Sequence, residues 1–375
     1  MRASVIERGP VLHVQKIKGI GGAERHLLDL LPGLRRRGVD ARIVVLEAPG
    51  ARQFVDAMVD RGVPVRSVGI RGPADPLAIA DLAHIFGATR PALVHTHLIH
   101  ADLHGGLAGA VRRVPTVASV HSVQRFYARR PYRTAARAAL ARARRVIAIS
   151  GHVRDYVTAL GIVDPSKVRV VPYGVDAVGP ADADLRTTAR DRFGVPQDAF
   201  VVAMTSRLIP GKGHDHAIDA VRRLGRRVPQ VRLLIAGDGP LRPDLERAAE
   251  GSAEVLFTGF LADVADVLAA SDALVFPTEP SLGEGFGLAA LEALARGVAV
   301  VATDVASLPE VVGDAGILVP PADPAAIERA LERLASDATL RARLAEAGPE
   351  RARNHFSLST MLDRTLEVYR EAVST

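Results

Sequence analysis

Short apolar runs alternate with longer amphipathic stretches along almost the whole chain. Runs such as Phe200–Thr205 and Val298–Ala302 predict buried β-strands, because a strand covered on both faces is apolar at nearly every position. The stretches between them carry apolar residues at the three- and four-residue spacing of helices. This repeated order of strand and helix predicts an α/β protein built on parallel sheets with helices on both faces.

The pattern defines the elements of each half of the chain. The predicted strands are Val11–Ile17, Arg42–Leu46, Val63–Val68, Ala92–His97, Thr116–Val120, Val146–Ser150 and Lys167–Val171, then Phe200–Thr205, Arg232–Ala236, Val255–Thr258, Ala273–Phe276, Val298–Ala302 and Ile317–Val319. Helices are predicted from the GIGGAE turn to Arg37, from His152, and over Arg52–Asp60, Ala78–Ala88, Ala101–Arg112, Tyr132–Arg144, Ala325–Ala335, Ala338–Ala347 and Ser359–Ala372.

The alternation stops once and then restarts. Asp176–Ala199 is polar and mixed, with Gly, Pro and Asp, so we predict a linker there. The sequence therefore predicts two domains, residues 1–177 and residues 178–375, and no short-period repeat. Ligands of such sheets bind beyond the carboxyl ends of the strands, so we expect the site in a cleft between the two halves.

Composition narrows the class of protein. The 375 residues are 48% hydrophobic and 4% aromatic, with no Trp and no Cys, which excludes disulfides, thiolate metal sites and Cys nucleophiles. The first ten residues lack the apolar core of a signal peptide, and no apolar run reaches the length of a membrane span. We therefore expect a cytoplasmic protein. The net charge of +6 allows anionic partners such as nucleotides or an acidic membrane surface.

The stretch from Pro280 to Pro309 combines three features of an anion-binding site. A glycine-rich turn, Gly283–Gly287, precedes a predicted helix that stops at Gly297, where a left-handed residue closes many helices. The run Val298–Ala302 then predicts a buried strand. Turn, helix and strand in this order place backbone N–H groups at a helix N-terminus beside a sheet edge, which favours a phosphate.

Two carboxylates bracket this turn and helix. Glu284 and Glu292 are eight positions apart and would lie ~80° from one another if both were helical, on roughly one side. Carboxylates repel phosphate but accept hydrogen bonds from hydroxyl groups, so the pair suits the rings of a nucleotide or a nucleotide sugar. A surface helix with two solvated glutamates is the alternative that the pattern leaves open.

Arg207 and Lys212 follow the first strand of the second half, at its carboxyl end. A guanidinium fork and a compact ammonium suit a diphosphate, although two solvated cations remain the alternative. The Walker frame is missing from this loop. Two further strand-to-helix turns contain Gly239 and Phe260. Phe260 would either stack near a base or pack in the core.

The first strand is followed by Gly21, Gly22, Ala23 and Glu24. This turn is similar to a dinucleotide fingerprint, but Glu24 stands where the third glycine belongs. Because an acid there repels a pyrophosphate, we do not expect a dehydrogenase. The two glycines still permit the close approach of a ligand.

Histidines cluster near the carboxyl ends of two strands of the first half: His95, His97, His100 and His104, with His121 at the next strand end. The HExxH frame is missing and acids are sparse, so we interpret the group as structural or polar-lining and predict no metal site. His121 is the candidate for a role in a site, because its strand end faces the expected cleft.

The segment Arg125–Arg145 contains eight arginines and no acid. Part of it predicts a basic amphipathic helix that could lie on anionic lipid, and a solvated helix face is the alternative. It carries no RNA-binding motif, so we expect no nucleic-acid partner.

Taken in order, these motifs resemble the GT-B glycosyltransferases, specifically the retaining glycosyltransferase family 4 (glycosyl transferases group 1). The resemblance runs from the Gly21–Glu24 turn through VPYGVD, SRLIPGKG, AGDGP and TGF to the Glu284 and Glu292 pair, which is nearly the whole chain. It implies two Rossmann-like domains that enclose a nucleotide-activated sugar. The first would be the acceptor side, and the last helix, about residues 359–372, would pack back on it.

The resemblance also implies roles for single residues. Arg207 and Lys212 would bind the donor diphosphate, Glu292 the ribose hydroxyls and Glu284 the transferred sugar. His121 would also contact that sugar. The backbone of Phe286, Gly287 and Leu288 would lie near the phosphates, Gly21 and Gly22 near donor and acceptor, and Gly239 and Phe260 in the donor site.

The implied reaction moves a hexose-type sugar to a hydroxyl acceptor with retention of configuration, and it uses neither metal nor cofactor. UDP- or GDP-sugars are the expected donors, and a glycan, a lipid-linked molecule or a small metabolite the acceptor. The chain departs from the family pattern at Gly283, Ala289 and Tyr173, which leaves the sugar open. A nucleotide-sugar epimerase of similar fold and a two-domain solute-binding protein are the alternative functions.

Overall fold

The computed structural model describes residues 9–47, 49–72, 74–123 and 125–374, apart from the side chains of Arg125 and Phe126. Most of the first ten residues, for which the sequence predicts no signal peptide, lie outside this range. The chain forms two compact units. One contains the described residues up to Gly174 and again from Leu358 onward, and the other is Val175–Ser357.

The first unit is built on a parallel sheet whose described strands follow the order β3-β2-β1-β4-β5-β6-β7. The strand order reverses between β1 and β4, so the carboxyl ends of these two strands flank a position where ligands bind in open α/β sheets. The strands are β1 (Val11–Ile17), β2 (Ala41–Glu47), β3 (Val65–Gly69), β4 (Leu93–His97), β5 (Thr116–Val120), β6 (Arg145–Ala148) and β7 (Val168–Val170).

Helices cover the sheet of the first unit. They are α1 (Gly22–Arg36), α2 (Arg52–Asp60), α3 (Pro76–Thr89), α4 (Leu98–Arg112), α5 (Arg130–Ala141) and α6 (Gly151–Ala159). Ser150, predicted as the last residue of a strand, is instead the N-cap of α6, where its hydroxyl accepts a hydrogen bond from the Val153 N–H at 3.1 Å.

The second unit repeats the plan with a parallel sheet of order β10-β9-β8-β11-β12-β13 among the described residues. Here the order reverses between β8 and β11. The strands are β8 (Phe200–Thr205), β9 (Val231–Ala236), β10 (Val255–Gly259), β11 (Ala273–Phe276), β12 (Ala299–Thr303) and β13 (Gly316–Val319). The prediction of parallel sheets covered by helices is confirmed in both units.

The helices of the second unit are α7 (Ala183–Arg192), α8 (His214–Gly225), α9 (Arg242–Ala248), α10 (Ala265–Ala270), α11 (Leu288–Ala295), α12 (Leu308–Val312), α13 (Pro324–Ser336) and α14 (Ala338–Phe356). The last helix of the chain, α15 (Leu358–Ser374), belongs to the first unit, where it packs on α1 and supplies Leu362 and Tyr369 to the core.

The predicted linker Asp176–Ala199 contains a helix that the sequence did not predict. Helix α7 lies within it, and its Arg190 is buried, donating to the Ala270 carbonyl at 3.1 Å and to Asp272 at 3.0 Å. Polar composition suggested a solvated linker. A buried, paired arginine anchors the segment to the second unit instead.

Helix α14 continues to Phe356, beyond the predicted end at Ala347. Gly348 and Pro349 lie inside it and normally weaken a helix. Gly348 is buried against the backbone of α11, where a Cβ would approach the Leu294 carbonyl oxygen to 2.7 Å. This close packing of two helices outweighs the local preference to end the helix.

Candidate functional site

The loop between β8 and α8 carries both residues that the sequence predicts to bind a diphosphate. Arg207 is exposed, and Lys212 lies five positions further along, just before α8. The last residue of the loop, Gly213, has φ +73°, and a Cβ there would overlap the Pro277 carbonyl oxygen. Only glycine fits this position, which fixes the path of the chain next to Lys212.

Lys212 and Glu284 form an ion pair. The Lys212 Nζ donates to Glu284 Oε2 at 2.6 Å, and the two side chains are only 14% and 16% exposed. The ammonium also lies 5.1 Å from the centre of the Phe276 ring. The structure thus brings together two residues that the sequence assigned to different parts of a ligand.

Glu284 lies in the loop before α11, whereas Glu292 lies within that helix. The helical angle between them, which the sequence suggested, therefore does not describe their arrangement. The Glu284 carbonyl instead accepts a hydrogen bond from the Ser307 hydroxyl at 3.1 Å, which ties this loop to the turn after β12. Glu292 is partly buried on α11.

The N-terminus of α11 is formed by the residues that the sequence placed near phosphates. Gly287 precedes the helix with φ +90°, and a Cβ there would come within 2.6 Å of Leu308. Leu288 is the first helical residue. The Phe286 side chain is buried edge-on to Phe356, with ring centres 5.7 Å apart. Gly297, beyond the helix, is left-handed as predicted, with φ +67°.

Gly239 packs against the loop that carries Arg207. A Cβ at Gly239 would meet the backbone of Leu208, whose N–H donates to the Asp238 carbonyl at 3.0 Å. The Leu241 N–H donates back to the Leu208 carbonyl at 3.0 Å. This glycine is therefore required for the packing of two turns.

Phe260 follows β10 and is 46% exposed. The core-packing alternative for this side chain is wrong, because nearly half of the ring remains accessible. An exposed aromatic ring at the carboxyl end of a parallel strand is available for stacking on a planar ligand.

In the first unit, the glycine turn before α1 is held by Glu24. Its carboxylate accepts the Gly21 N–H at 3.0 Å and the Gln15 amide at 2.7 Å, as in a capping box. This explains the acid in the place of a third glycine. A Cβ at Gly22 would meet nothing within 4 Å, so the turn presents open space beside its backbone.

His121 directly follows β5 and is 7% exposed. Its Nδ1 is 2.7 Å from the Tyr173 hydroxyl and its Nε2 is 2.9 Å from His97 Nδ1, so both ring nitrogens have partners inside the unit. Burial lowers the pKa of His121 to about 3, and the ring is neutral at physiological pH.

The other predicted histidines have structural partners. His104 Nε2 accepts the Asp75 N–H at 3.0 Å, and its Nδ1 pairs with the His100 carbonyl at 2.7 Å. His95 and His97 belong to a buried cluster together with His13 and His26, which the sequence did not single out. The available signal was the presence of His13 and Gln15 between the apolar residues Val11, Leu12, Val14 and Ile17 of a predicted buried strand.

Two groups of described residues could hold a metal ion by geometry. They are His13, His95 and His97, which are buried, and Asp215, His216 and Glu279, which are partly exposed. In each group the potential ligand atoms lie within 4.8 Å of one another. In the first group, His13 and His97 are already hydrogen-bonded to each other, and both nitrogens of His95 pair with the hydroxyls of Tyr369 and Ser119.

The basic segment divides into two parts. On α5, Arg130 and Arg137 are exposed together with Tyr132, while Ala136 and Leu140 are buried, so the helix has one basic face. The end of the basic segment, after α5, has structural partners. Arg144 donates to the Ala372 carbonyl at 2.8 Å, and Arg145 pairs with Glu371 at 2.6 Å. The side chain of Arg125 lies outside the described residues.

Within the described part of the chain, no helix combines the length and the apolar character needed to cross a membrane.

Family models match both units. The model described as Glycosyltransferase Family 4 matches residues 20–178, and the model described as Glycosyl transferases group 1 matches residues 199–337. A D-inositol 3-phosphate glycosyltransferase from Kineococcus radiotolerans is 30% identical over 94% of this chain and 91% of its own length. The chain belongs to glycosyltransferase family 4.

Other relatives of this family 4 member include an alpha-maltose-1-phosphate synthase from Mycolicibacterium smegmatis, 28% identical over 94% of this chain and 95% of the relative. An alpha-D-kanosaminyltransferase from Streptomyces kanamyceticus is 30% identical over 73% of this chain and 77% of its own length.

The fold of this family 4 chain is also that of solved glycosyltransferases. The structure of Anabaena Alr3699/HepE in complex with UDP-glucose matches with a TM-score of 0.84 at 24% identity, covering 98% of this chain and all of that chain. The two parallel-sheet units are those of the GT-B fold, and the protein is a glycosyltransferase. These comparisons favour the transferase over the epimerase and the solute-binding protein.

Proposed function

We propose that this enzyme transfers a hexose-type sugar from a nucleoside diphosphate sugar to a hydroxyl acceptor, with retention of configuration and without a metal. The observation that carries the proposal is the Lys212–Glu284 pair, which lies beside Arg207 and α11 at the strand-order reversal of the second sheet. The complex of HepE with UDP-glucose supports a nucleotide-sugar donor.

Arg207 and Lys212 would bind the donor diphosphate. The exposed guanidinium of Arg207 offers a fork of N–H donors, and Lys212 would turn from Glu284 to a phosphate oxygen. Both charges oppose the negative charge that grows on the leaving diphosphate. Each is expected to contribute ~3 kcal/mol to lowering the barrier, by analogy with preorganised oxyanion donors.

Glu284, released from Lys212, would then accept hydrogen bonds from hydroxyls of the transferred sugar. Glu292 would hold the ribose, and the N–H groups beginning at Leu288 would face the phosphates at a helix N-terminus. Phe260, with its exposed ring, would stack on the base. Gly239 would belong to the donor site next to the Arg207 loop, against which it packs.

His121 would contact the transferred sugar, with Gly21 and Gly22 leaving room for donor and acceptor. Because both nitrogens of His121 already have partners, such a contact requires Nδ1 to exchange the Tyr173 hydroxyl for a sugar hydroxyl.

In the proposed reaction, the bond between the anomeric carbon and the diphosphate oxygen breaks. The acceptor oxygen forms its bond to the same face of that carbon, and its proton passes to the departing phosphate. This route uses no protein nucleophile. Both the attacking and the leaving oxygen lie on one face, which preserves the anomeric configuration.

A donor screen tests the proposal. UDP-, GDP-, ADP- and dTDP-sugars are incubated with the enzyme in the presence and absence of EDTA, and the thermal midpoint and sugar release are measured. We expect one nucleotide to raise the midpoint equally with and without EDTA, and this nucleotide to support slow sugar release. Loss of the effect in EDTA would contradict metal independence, and no effect with any donor would contradict the proposed site.

Variants locate the site in the same assay. Arg207→Ala and Lys212→Ala should each lower kcat by about 100-fold or more, and Glu292→Ala should weaken nucleotide binding. Arg353→Ala, which removes an exposed arginine from α14, is the matched control and should be neutral. Full activity in either Arg207→Ala or Lys212→Ala would contradict the diphosphate role.

We further propose that the basic face of α5 contacts anionic lipid, with Arg130, Arg137 and Tyr132 at the surface. Reversing the charge of Arg129, Arg130 and Arg137 should abolish binding to vesicles that contain phosphatidylserine. Reversing the exposed Arg52, Arg353 and Arg370 should leave it intact. Equal losses in the two variants would indicate an effect of net charge alone.

A further inference from the structure

Seven buried side chains of the first unit form one continuous chain of hydrogen bonds, which we call the histidine–tyrosine chain. Its members in order are Tyr173, His121, His97, His13, Tyr369, His95 and Ser119. The successive donor–acceptor distances are 2.7, 2.9, 3.0, 3.4, 2.8 and 2.7 Å. The chain thus connects His121 to the last helix of the protein.

Five of the seven members lie on strands or on the last helix of the first unit. His13 lies on β1, His95 and His97 on β4, Ser119 on β5 and Tyr369 on α15. His97 is followed by Leu98 in the left-handed conformation, with φ +67°, at the turn into α4. A left-handed leucine is strained, and such strain persists only where the surrounding structure holds the turn in place.

Burial keeps the four imidazoles neutral. It lowers the pKa of His13 to about 3, and it lowers the pKa of His95 and of His97 well below the usual value, with neighbouring histidines adding to the effect. A neutral imidazole has one N–H donor and one acceptor nitrogen. Every link in the chain therefore needs one partner to donate and the other to accept.

The links have the same polarity throughout. His121 Nε2 meets His97 Nδ1, and His97 Nε2 meets His13 Nδ1. His13 Nε2 then meets the Tyr369 hydroxyl, which meets His95 Nδ1. A ring that donates from Nε2 must be followed by a ring that accepts at Nδ1, and this next ring consequently also carries its proton on Nε2. His121, His97 and His13, which are linked ring to ring, must therefore share one tautomer, and the Tyr369 hydroxyl joins them to His95.

We propose that His97, His13 and Tyr369 are positioning residues that set the tautomer of His121 through this chain. The functional part of the inference rests on the proposed contact of His121 with the transferred sugar. When all rings carry Nε2–H, His121 Nδ1 is an acceptor toward a sugar hydroxyl, and when all carry Nδ1–H it is a donor. The chain decides which of these two contacts His121 offers.

Binding of a buried metal ion would compete with these hydrogen bonds, because His13, His95 and His97 are close enough to coordinate one ion. The two arrangements exclude one another. A metal would take the lone pair that each ring now directs toward its neighbour.

Removal of the hydroxyl at either end of the three linked rings should shift their protons to opposite nitrogens. Tyr369→Phe leaves His13 Nε2 without a partner, and an unpaired buried N–H is costlier than an unpaired acceptor, so the proton should move to Nδ1. Tyr173→Phe does the same to His121 Nδ1 and should favour Nε2–H. Nitrogen NMR of histidine-labelled full-length protein distinguishes the two tautomers ring by ring. Tyr127→Phe, a buried tyrosine of the same unit outside the chain, is the matched control.

We expect His13, His97 and His121 to carry one common tautomer in each protein, and the two variants to carry opposite ones. The control should match the wild type. Different tautomers within one protein, or the same tautomer in both variants, would overturn the proposal. So would a stoichiometric metal ion bound to His13, His95 and His97 in the purified protein.

Activity then tests the functional part. If Tyr369→Phe changes the tautomer of His121, kcat should fall about tenfold or more while the donor KM stays within about twofold, since a wrongly protonated imidazole is poorly oriented for its partner. If the tautomer is unchanged, kcat should be unchanged. A changed tautomer with unchanged kcat, or an unchanged tautomer with lowered kcat, would overturn the positioning role. Absence of sugar transfer by the wild type would instead contradict the proposed function and leave the NMR result valid.

Discussion

Single side chains in this protein take their chemical properties from what surrounds them. Lys212 and Glu284 form one shielded ion pair, so any anion that binds the ammonium must compete with a carboxylate. His121 is neutral, and both of its ring nitrogens are already hydrogen-bonded to other side chains. The same dependence on surroundings makes Asp102, a residue outside the proposed site, sensitive to pH.

Asp102 lies on α4, 4% exposed, and accepts the Thr96 hydroxyl at 2.6 Å. Burial raises its pKa to about 7, and the Thr96 hydrogen bond opposes this only in part. A carboxyl whose folded pKa is raised favours folding while protonated, so its contribution is complete below about pH 4 and is lost as the pH rises toward 7.

Asp102→Asn should remove this loss. Relative to the wild type, its free energy of unfolding should rise between about pH 4 and pH 7 by up to about 4 kcal/mol. Urea unfolding at several pH values measures the difference. The buried histidines have lowered pKa values and raise the free energy of unfolding as the pH rises, but they do so equally in the wild type and in Asp102→Asn. The exposed Asp81→Asn is the control, and parallel pH profiles for Asp102→Asn and the wild type would contradict the pKa assignment.

At the scale of elements, the proposed site depends on turns that only glycine can form. The strand-to-helix turns after β8 and β9 pack backbone against backbone, and the Ser206 N–H donates to the Ala236 carbonyl at 3.0 Å. Side chains would prevent this contact. The loop that carries Arg207 and Lys212 is therefore held in part by backbone contacts that only glycines permit.

Gly213→Ala should disrupt this framework. Its cost combines a left-handed backbone, φ +73°, with an overlap between the new Cβ and the Pro277 carbonyl oxygen. Gly194→Ala is the matched control, because Gly194 has φ +63° but open space around it, and it should cost only about 1 kcal/mol. We expect Gly213→Ala to lower the unfolding free energy by at least about 2 kcal/mol more than this control. Equal losses in thermal or urea unfolding would show that the loop adapts.

At the scale of the whole molecule, the first unit is assembled from the two ends of the chain. Helix α15 contributes Leu358, Met361, Leu362, Leu366 and Tyr369 to its core. Glu371 adds ion pairs with Arg145 at 2.6 Å and Arg169 at 2.8 Å. The C-terminal helix is thus an integral layer of the unit that carries His121.

Truncation after Ser357 should destabilise the first unit selectively. The deletion removes one layer of its core and the Tyr369 hydroxyl, whereas the described core of the second unit contains no residue of α15. Limited proteolysis with mass spectrometry should show early cleavage before Gly174 and a resistant fragment from the second unit. Equal susceptibility of the two units would contradict this division.

Much of the fold could be predicted from the sequence because parallel strands are buried on both faces. Phe200–Thr205, Thr116–Val120 and Ala273–Phe276 have the predicted bounds for this reason. Helix α7 escaped prediction because its stability depends on a buried arginine paired with Asp272, eighty-two positions away. Local composition carries no information about such a partner.

By itself, the sequence determined the alternation of strands and helices, the family, and the placement of Arg207 and Lys212 after a strand, Glu284 before a helix and Glu292 within that helix. These follow from local patterns of apolar residues and glycines. The tertiary structure decided the partners. The Lys212–Glu284 pair spans 72 positions and the His13–Tyr369 contact spans 356. Such contacts arise only when distant segments pack together, and they set the charge, protonation and orientation on which the proposed chemistry depends.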